Sequence, residues 1–146
     1  MSLIFPPVMI KHSVSRWCFG STELVELCKK CHALGISGID LLLLDEIPSV
    51  QELGMECPIT AAHPDAEGIG SIEKGFNNPA FHPALHCIYQ KLIPSAAKLG
   101  VKQVICFSGN SDGVTDDQGL ENCAIGLAPM VALAEKHGVT LVMELL

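Results

Sequence analysis

The chain has 146 residues, of which 49% are hydrophobic and 17% charged, so it is too apolar for a disordered segment and long enough to bury one domain core. Nine Lys and Arg against sixteen Asp and Glu leave a net charge of -7, and the cations are scattered. A nucleic-acid partner, which calls for a basic stripe to neutralise phosphates, is not expected.

Seven cysteines stand at positions 18, 28, 31, 57, 87, 106 and 123, mostly inside apolar runs. The odd count and this placement read as buried thiols of a reducing compartment rather than a disulfide framework. The opening stretch, "MSLIFPPVMIKHS", lacks a positive n-region and is broken by Pro6 and Pro7, so it does not read as a signal peptide. No run approaches the ~18 apolar residues of a membrane span. The expectation is a single soluble cytoplasmic domain over residues 1–146.

Taken in chain order, the pattern predicts a first strand at about 9–18. A helix follows over 22–34, where Leu24, Leu27, Cys28, Cys31 and Leu34 share a face, Ser21 or Thr22 can cap, and Glu23 and Glu26 suit the positive end of the dipole. The phrase "LGISGIDLLLL" from Leu34 then ends the helix in Gly and starts a second strand at once. The same phrase recurs as "LGMECPIT" from Leu53, "LGVKQVICFSG" from Leu99 and "HGVTLVMELL" from His137. Four copies predict four helix-to-strand junctions. The helices before the last three cover 46–53, 82–99 and 118–137, with Pro94 expected to kink the second of these and Pro129 inside the third. Five strands alternating with four helices predict right-handed βαβ units and a parallel sheet, and runs such as "IDLLLL" and "VKQVICF" suit strands covered on both faces. Pattern alone leaves barrel and open sheet both standing.

In parallel α/β folds chemistry gathers at the C-terminal ends of the strands. Those ends carry Arg16, Trp17 and Cys18; Asp45 and Glu46; His63 and Asp65; Ser108, Gly109 and Asn110; and Glu144. Glu144 is the sharpest candidate. An acid inside "LVMELL" on an internal strand is desolvated, and such a carboxylate usually has a metal, a cationic partner or a catalytic task. Arg16, between Val14 and Trp17, should face solvent, a substrate or an acid. Trp17 is a pocket-wall candidate that packing alone would also explain, and His63 can be ligand, base or plain loop residue. Residues 63–81 are long for a βα connection and offer Lys74 and the Asn77–Asn78 pair to a lid, or form a surface loop. "CKKC" at 28–31 lies mid-helix without a second pair and reads as core; "GNSDG" lacks the terminal glutamate of a calcium loop, and "GIGSIE" lacks the third glycine of a dinucleotide fingerprint.

Through "SRWCF" (15–19), "KGFNNP" (74–79), "VICFSGNSDG" (104–113), "GLENC" (119–123) and "LAEKHGVTLVMELL" (133–146), the sequence resembles the hydroxypyruvate isomerase family of xylose-isomerase-like TIM barrels. The resemblance implies a (β/α)8 architecture of which this chain supplies the first five strands, a half-barrel. It implies interconversion of hydroxypyruvate and tartronate semialdehyde through an enediolate, assisted by a divalent metal, Mg or Mn. In that family two strand-end glutamates hold the ion, and the first matches Glu144, which takes the roles of metal ligand and base by resemblance. By resemblance the strand ends carrying Trp17, His63 and Asn110 form part of the pocket wall, and Arg16 and Lys74, read from the residues themselves, complete the substrate-pocket candidates. The second glutamate has no counterpart in these residues. Two readings therefore stand: an isomerase of small hydroxy-oxo acids completed by further residues, or a non-catalytic chain acting through association with itself or a full-length relative.

Overall fold

The computed structural model describes residues 10–145, so the "MSLIFPPVM" opening and the first predicted strand residue lie outside the described residues. Strands and helices alternate as β1 Ser13–Ser15, α1 Leu24–Ala33, β2 Gly38–Asp40, α2 Ile47–Glu52, β3 Ile59–Ala61, α3 His82–Lys98, β4 Gln103–Phe107, α4 Asp116–His137 and β5 Thr140–Glu144. Short 3-10 turns occupy Arg16–Phe19 and Pro79–Phe81.

The four junction glycines explain why each helix stops where it does. Gly35, Gly54, Gly100 and Gly138 all have positive φ, 74°, 77°, 78° and 66°. The residue after each one turns its N–H back into the helix: Ile36 to Cys31 O, Met55 to Val50 O, Val101 to Ala96 O and Val139 to Ala134 O, at 2.9 to 3.2 Å. The glycine N–H itself reaches His32 O, Gln51 O, Ala97 O and Glu135 O. This is the Schellman arrangement four times over, and it satisfies carbonyls that a helix end would otherwise leave bare. At its other end α4 is capped by the Thr115 hydroxyl, which accepts from Gln118 N at 3.3 Å, with Asp116 and Asp117 in the first turn.

Strand β1 pairs in parallel with β2, and β3, β4 and β5 pair in parallel in that order. A bridge between Gly38 and Glu56, with Ile39 N donating to Glu56 O and Leu41 N to Ile59 O at 2.9 Å, joins the two groups. The order is therefore 1-2-3-4-5. A doubly wound sheet reverses its strand order near the middle, whereas a barrel wall does not. The topology decides for barrel-type parallel β/α units, the question that pattern left open.

One face of this wall is packed by the helices. Ile39, Val104 and Cys106 are fully buried beneath Leu27, Val50, Leu85, Ile93 and Met130. Each such aliphatic side chain contributes roughly 1.5–3 kcal/mol of burial. Tyr89 of α3 is also fully buried, with its hydroxyl donating to Ile105 O at 2.9 Å. Cys28 and Cys31 point into this core from α1, as expected, while Cys18 and Cys87 are exposed thiols.

Two expectations about strands need correction. "IDLLLL" is strand only to Asp40: Leu41 turns with φ 58°, and Leu42, although 2% exposed, sits in a loop whose carbonyl accepts from Thr60 Oγ1 at 2.9 Å. The first strand is three residues rather than ten. The apolar run does not report uniform burial: Leu42 alone is buried, in a loop whose carbonyl is satisfied by one hydroxyl, while Leu43 is 46% exposed. Helices α3 and α4 each continue as one element through Pro94 and Pro129. Among the described residues no helix is long and apolar enough to cross a membrane.

Candidate functional site

Alternation along the strands fixes what lies on the face away from the helices. Val104 and Cys106 face the core, so Ile105 and Phe107 face the other way; the β4–β5 register pairs them with Val142 and Glu144. By the same rule Ile39 is buried and Asp40 lies on the open face, where Ser13 Oγ donates to Asp40 Oδ2 at 2.7 Å. Asp40 Oδ1 is a buried oxygen without a hydrogen-bond partner among the described residues. Asp40 is the functional-type residue that sequence reading missed. Its signal was the one used for Glu144: a lone acid inside an apolar run, "GIDLLLL".

Glu144 stands at the C-terminal end of β5, as expected, but it is exposed rather than desolvated. Its strand is the outer member of the β3-β4-β5 group, and its backbone carbonyl accepts from Ser108 N at 3.1 Å. The expectation of burial assumed neighbours on both sides of the strand.

Arg16 meets an acid. Its Nε lies 3.3 Å from Glu46 Oε1, both side chains being mostly covered, and its Nη1 donates to Phe19 O at 2.9 Å. Glu46 also accepts from Leu43 N through Oε2 at 3.0 Å, so the ends of β1 and β2 are tied by one charged knot. Trp17, beside it, is 72% exposed and lines none of the cavities described below.

The 63–81 segment is docked rather than loose. Asp65 Oδ1 accepts from Glu67 N and Ile69 N at 2.9 Å and turns its first part; the Lys74 amine donates to Glu67 O within the same loop. Its second part lies across the end of β4, with Phe76 N donating to Phe107 O at 3.0 Å and Asn77 N to Ser108 O at 2.7 Å. Asn77, almost fully buried, donates through Nδ2 to Gly109 O and Asn110 O, and its own carbonyl accepts from Asn122 Nδ2 at 2.7 Å. Asn110 is held through its backbone, by Glu73 O and by Asn77, and is itself exposed.

The structure thus separates the sequence-predicted residues. A cavity of about 370 Å³ lies by the start of α4, against Ser108, Thr115, Met143 and Leu145; it is on the helix side of β5, and Glu144 does not line it. His63 lines a different cavity, along α3. Arg16 is with Glu46, Lys74 is turned into its own loop, and Glu144 shares the open face with Phe107. Among the described residues no three His, Cys, Asp or Glu side chains stand together as a metal-binding group. A divalent ion takes several oxygen, nitrogen or sulfur ligands, so Glu144 and its surroundings do not fit a complete metal centre.

No protein-family model matches the chain, and no curated protein sequence does. Solved structures do. An AP endonuclease of family 2 from Brucella melitensis superposes with a TM-score of 0.75 at 13% identity, covering 92% of this chain and 55% of that one. A sugar phosphate isomerase/epimerase from Parabacteroides distasonis gives 0.71 at 10% identity, over 96% and 53%. The IolI protein, solved with a bound zinc atom, gives 0.66 at 13% identity, over 94% and 52%. The chain has the parallel β/α wall of these TIM-barrel structures and spans about half of their length.

Proposed function

We propose that the chain carries part of the active site of an isomerase of small hydroxy-oxo acids, of the type that interconverts hydroxypyruvate and tartronate semialdehyde, with Glu144 as its proton-transferring carboxylate. The observation that carries this reading is the placement of Glu144: a strand-end acid on the open face of a barrel wall, beside Phe107. Similar structures that are isomerases and epimerases support the reaction class. The reaction removes a proton from the hydroxymethyl carbon, passes through an enediolate in which the hydroxyl proton moves to the former carbonyl oxygen, and returns a proton to the former carbonyl carbon. Glu144 can take and return that proton from the open face. No step is assigned to a metal, because the described residues supply no further ligands beside Glu144; Mg or Mn would need ligands beyond them. The net charge of -7 argues against nucleic acid as substrate.

The test is to incubate the chain with hydroxypyruvate and Mn²⁺ in D2O and follow tartronate semialdehyde and deuterium uptake by NMR. Any turnover should fall by at least ~100-fold in Glu144→Gln, the usual contribution of a positioned acid–base group. Turnover indifferent to that substitution would remove Glu144 from the mechanism. That no metal-binding group stands among the described residues favours a second reading, a non-catalytic chain that acts by association. A folded chain that neither turns over nor exchanges deuterium would support it.

A further inference from the structure

On the flank of α3 away from α4 the structure opens a cavity of about 480 Å³. Positions 84, 87, 88, 91, 92 and 95 recur at helical spacing and form that flank, while His82 and His86 meet α4 on the other. Helix α2, at six residues, is far shorter than the seventeen-residue α3, and none of its residues lines the cavity. Leu44, Ala62, Ile88 and Leu92 give it an apolar floor, and Leu92 and Ala62 are almost fully buried there. Its volume falls within the ~300–1,000 Å³ of small-molecule sites.

The rim is polar and unevenly satisfied. Asp65, its acid, already accepts two backbone N–H groups, and Ser95 donates to Lys91 O. Lys91 and His63 also line the cavity, and neither side chain has a hydrogen bond or ion pair among the described residues. An apolar floor beside the exposed Lys91 and His63 is complementary to a ligand with an aliphatic part and an anionic headgroup, of which a monocarboxylate is the simplest.

We propose that this cavity binds a medium-chain monocarboxylate, tail on Leu44, Ile88 and Leu92 and headgroup at Lys91 and His63. The site is independent of Glu144 and of the isomerase reading. Cys87, an exposed thiol one helical turn before Lys91, lines the same cavity and reports on its occupancy.

Octanoate is the probe, and the readout is the rate of iodoacetamide alkylation at each cysteine of the 146-residue chain by peptide mass spectrometry. Octanoate is expected to slow alkylation of Cys87 at least several-fold and leave exposed Cys18, which does not line this cavity, unchanged. Hexanoate should need roughly tenfold higher concentration, the worth of two buried methylenes. Lys91→Glu, at an exposed position, should abolish the protection, compared within the variant with and without ligand. The proposal fails if Cys87 is unprotected at millimolar octanoate, if Cys18 is slowed equally, if octyltrimethylammonium protects as well as octanoate, or if Lys91→Glu protects like the parent.

Discussion

Gly75 and Gly109 cross where the 63–81 segment meets the end of β4, and the crossing leaves no room for a side chain. A Cβ at Gly75 would lie under 3.0 Å from Phe107 O and from the backbone of Ser108 and Gly109; one at Gly109 would meet Asn77 Oδ1 at 2.6 Å. Those neighbours are backbone or held by it, so Gly75→Ala should destabilise by about 1–3 kcal/mol. Gly119, inside α4 with nothing nearer than 3.8 Å, is the control: Gly119→Ala should gain up to ~1 kcal/mol by stiffening the unfolded chain. Urea midpoints of the two variants check both signs at once. Buried thiols set a second residue-scale expectation. Burial pushes Cys106 up to about 12 and Cys57 up to about 11, from an ordinary value of 9.0. A raised folded-state value stabilises fully below the unfolded value, so this contribution is intact below pH 9 and lost as pH rises through 11 to 12. The loss of stability from pH 8 to pH 10.5 should be smaller in Cys106→Ala than in the parent, and equal losses would count against this account. Sequence reading saw the lone acid Glu144 but neither its exposure nor the equivalent Asp40, because which strand is outermost is a property of pairing, not of local pattern.

At the scale of elements, the sequence was most legible where chemistry is local. The four "G" junctions were visible because only a residue that tolerates positive φ ends a helix in this way, and all four close as Schellman turns. Strand extents were less legible, since "IDLLLL" mixes two strand residues, Ile39 and Asp40, with a loop that buries only Leu42. The packing of α3 on α4 was not legible at all, because it depends on one glycine meeting two histidines from a distant segment. His86 Nε2 lies 2.7 Å from Gly126 O, His82 Nε2 lies 2.8 Å from Phe76 O, and a Cβ on Gly126 would sit 2.5 Å from His82 Nε2. Gly126→Ala should therefore cost about 1–3 kcal/mol. In a His82→Ala background the same change should cost much less, giving a coupling energy of about 0.5–3 kcal/mol in a double-mutant cycle. Additive effects would mean that the two helices do not meet through this pair.

For the whole molecule, the apolar surface left in water is unevenly placed. Trp17 (72% exposed) and Val25 (45%) lie at the β1–α1 end of the wall, and Leu120 (72%), Ile125 (62%), Val142 (37%) and Leu145 (78%) at the α4–β5 end. The α4–β5 end is also acidic, with Asp112, Asp116, Asp117, Glu121, Glu135 and Glu144 against Lys136, whereas at the β1–α1 end Lys11, Arg16 and Lys30 are paired with Glu56, Glu46 and Glu26. An outer strand such as β5 presents backbone donors and acceptors in a row, and an apolar neighbour beside it makes pairing with another chain favourable. The 146-residue chain is therefore expected to self-associate through the exposed apolar residues around β5. Sedimentation velocity over a dilution series should show the sedimentation coefficient falling with concentration. Val142→Lys places a charge on the open face of β5 without touching the helix-covered core, and should shift the series toward monomer while leaving the circular dichroism unchanged. A chain that is monodisperse and monomeric at every concentration would show that these exposed residues are tolerated singly, as scattered surface apolars are in many soluble proteins, and would remove association from the account of this fold.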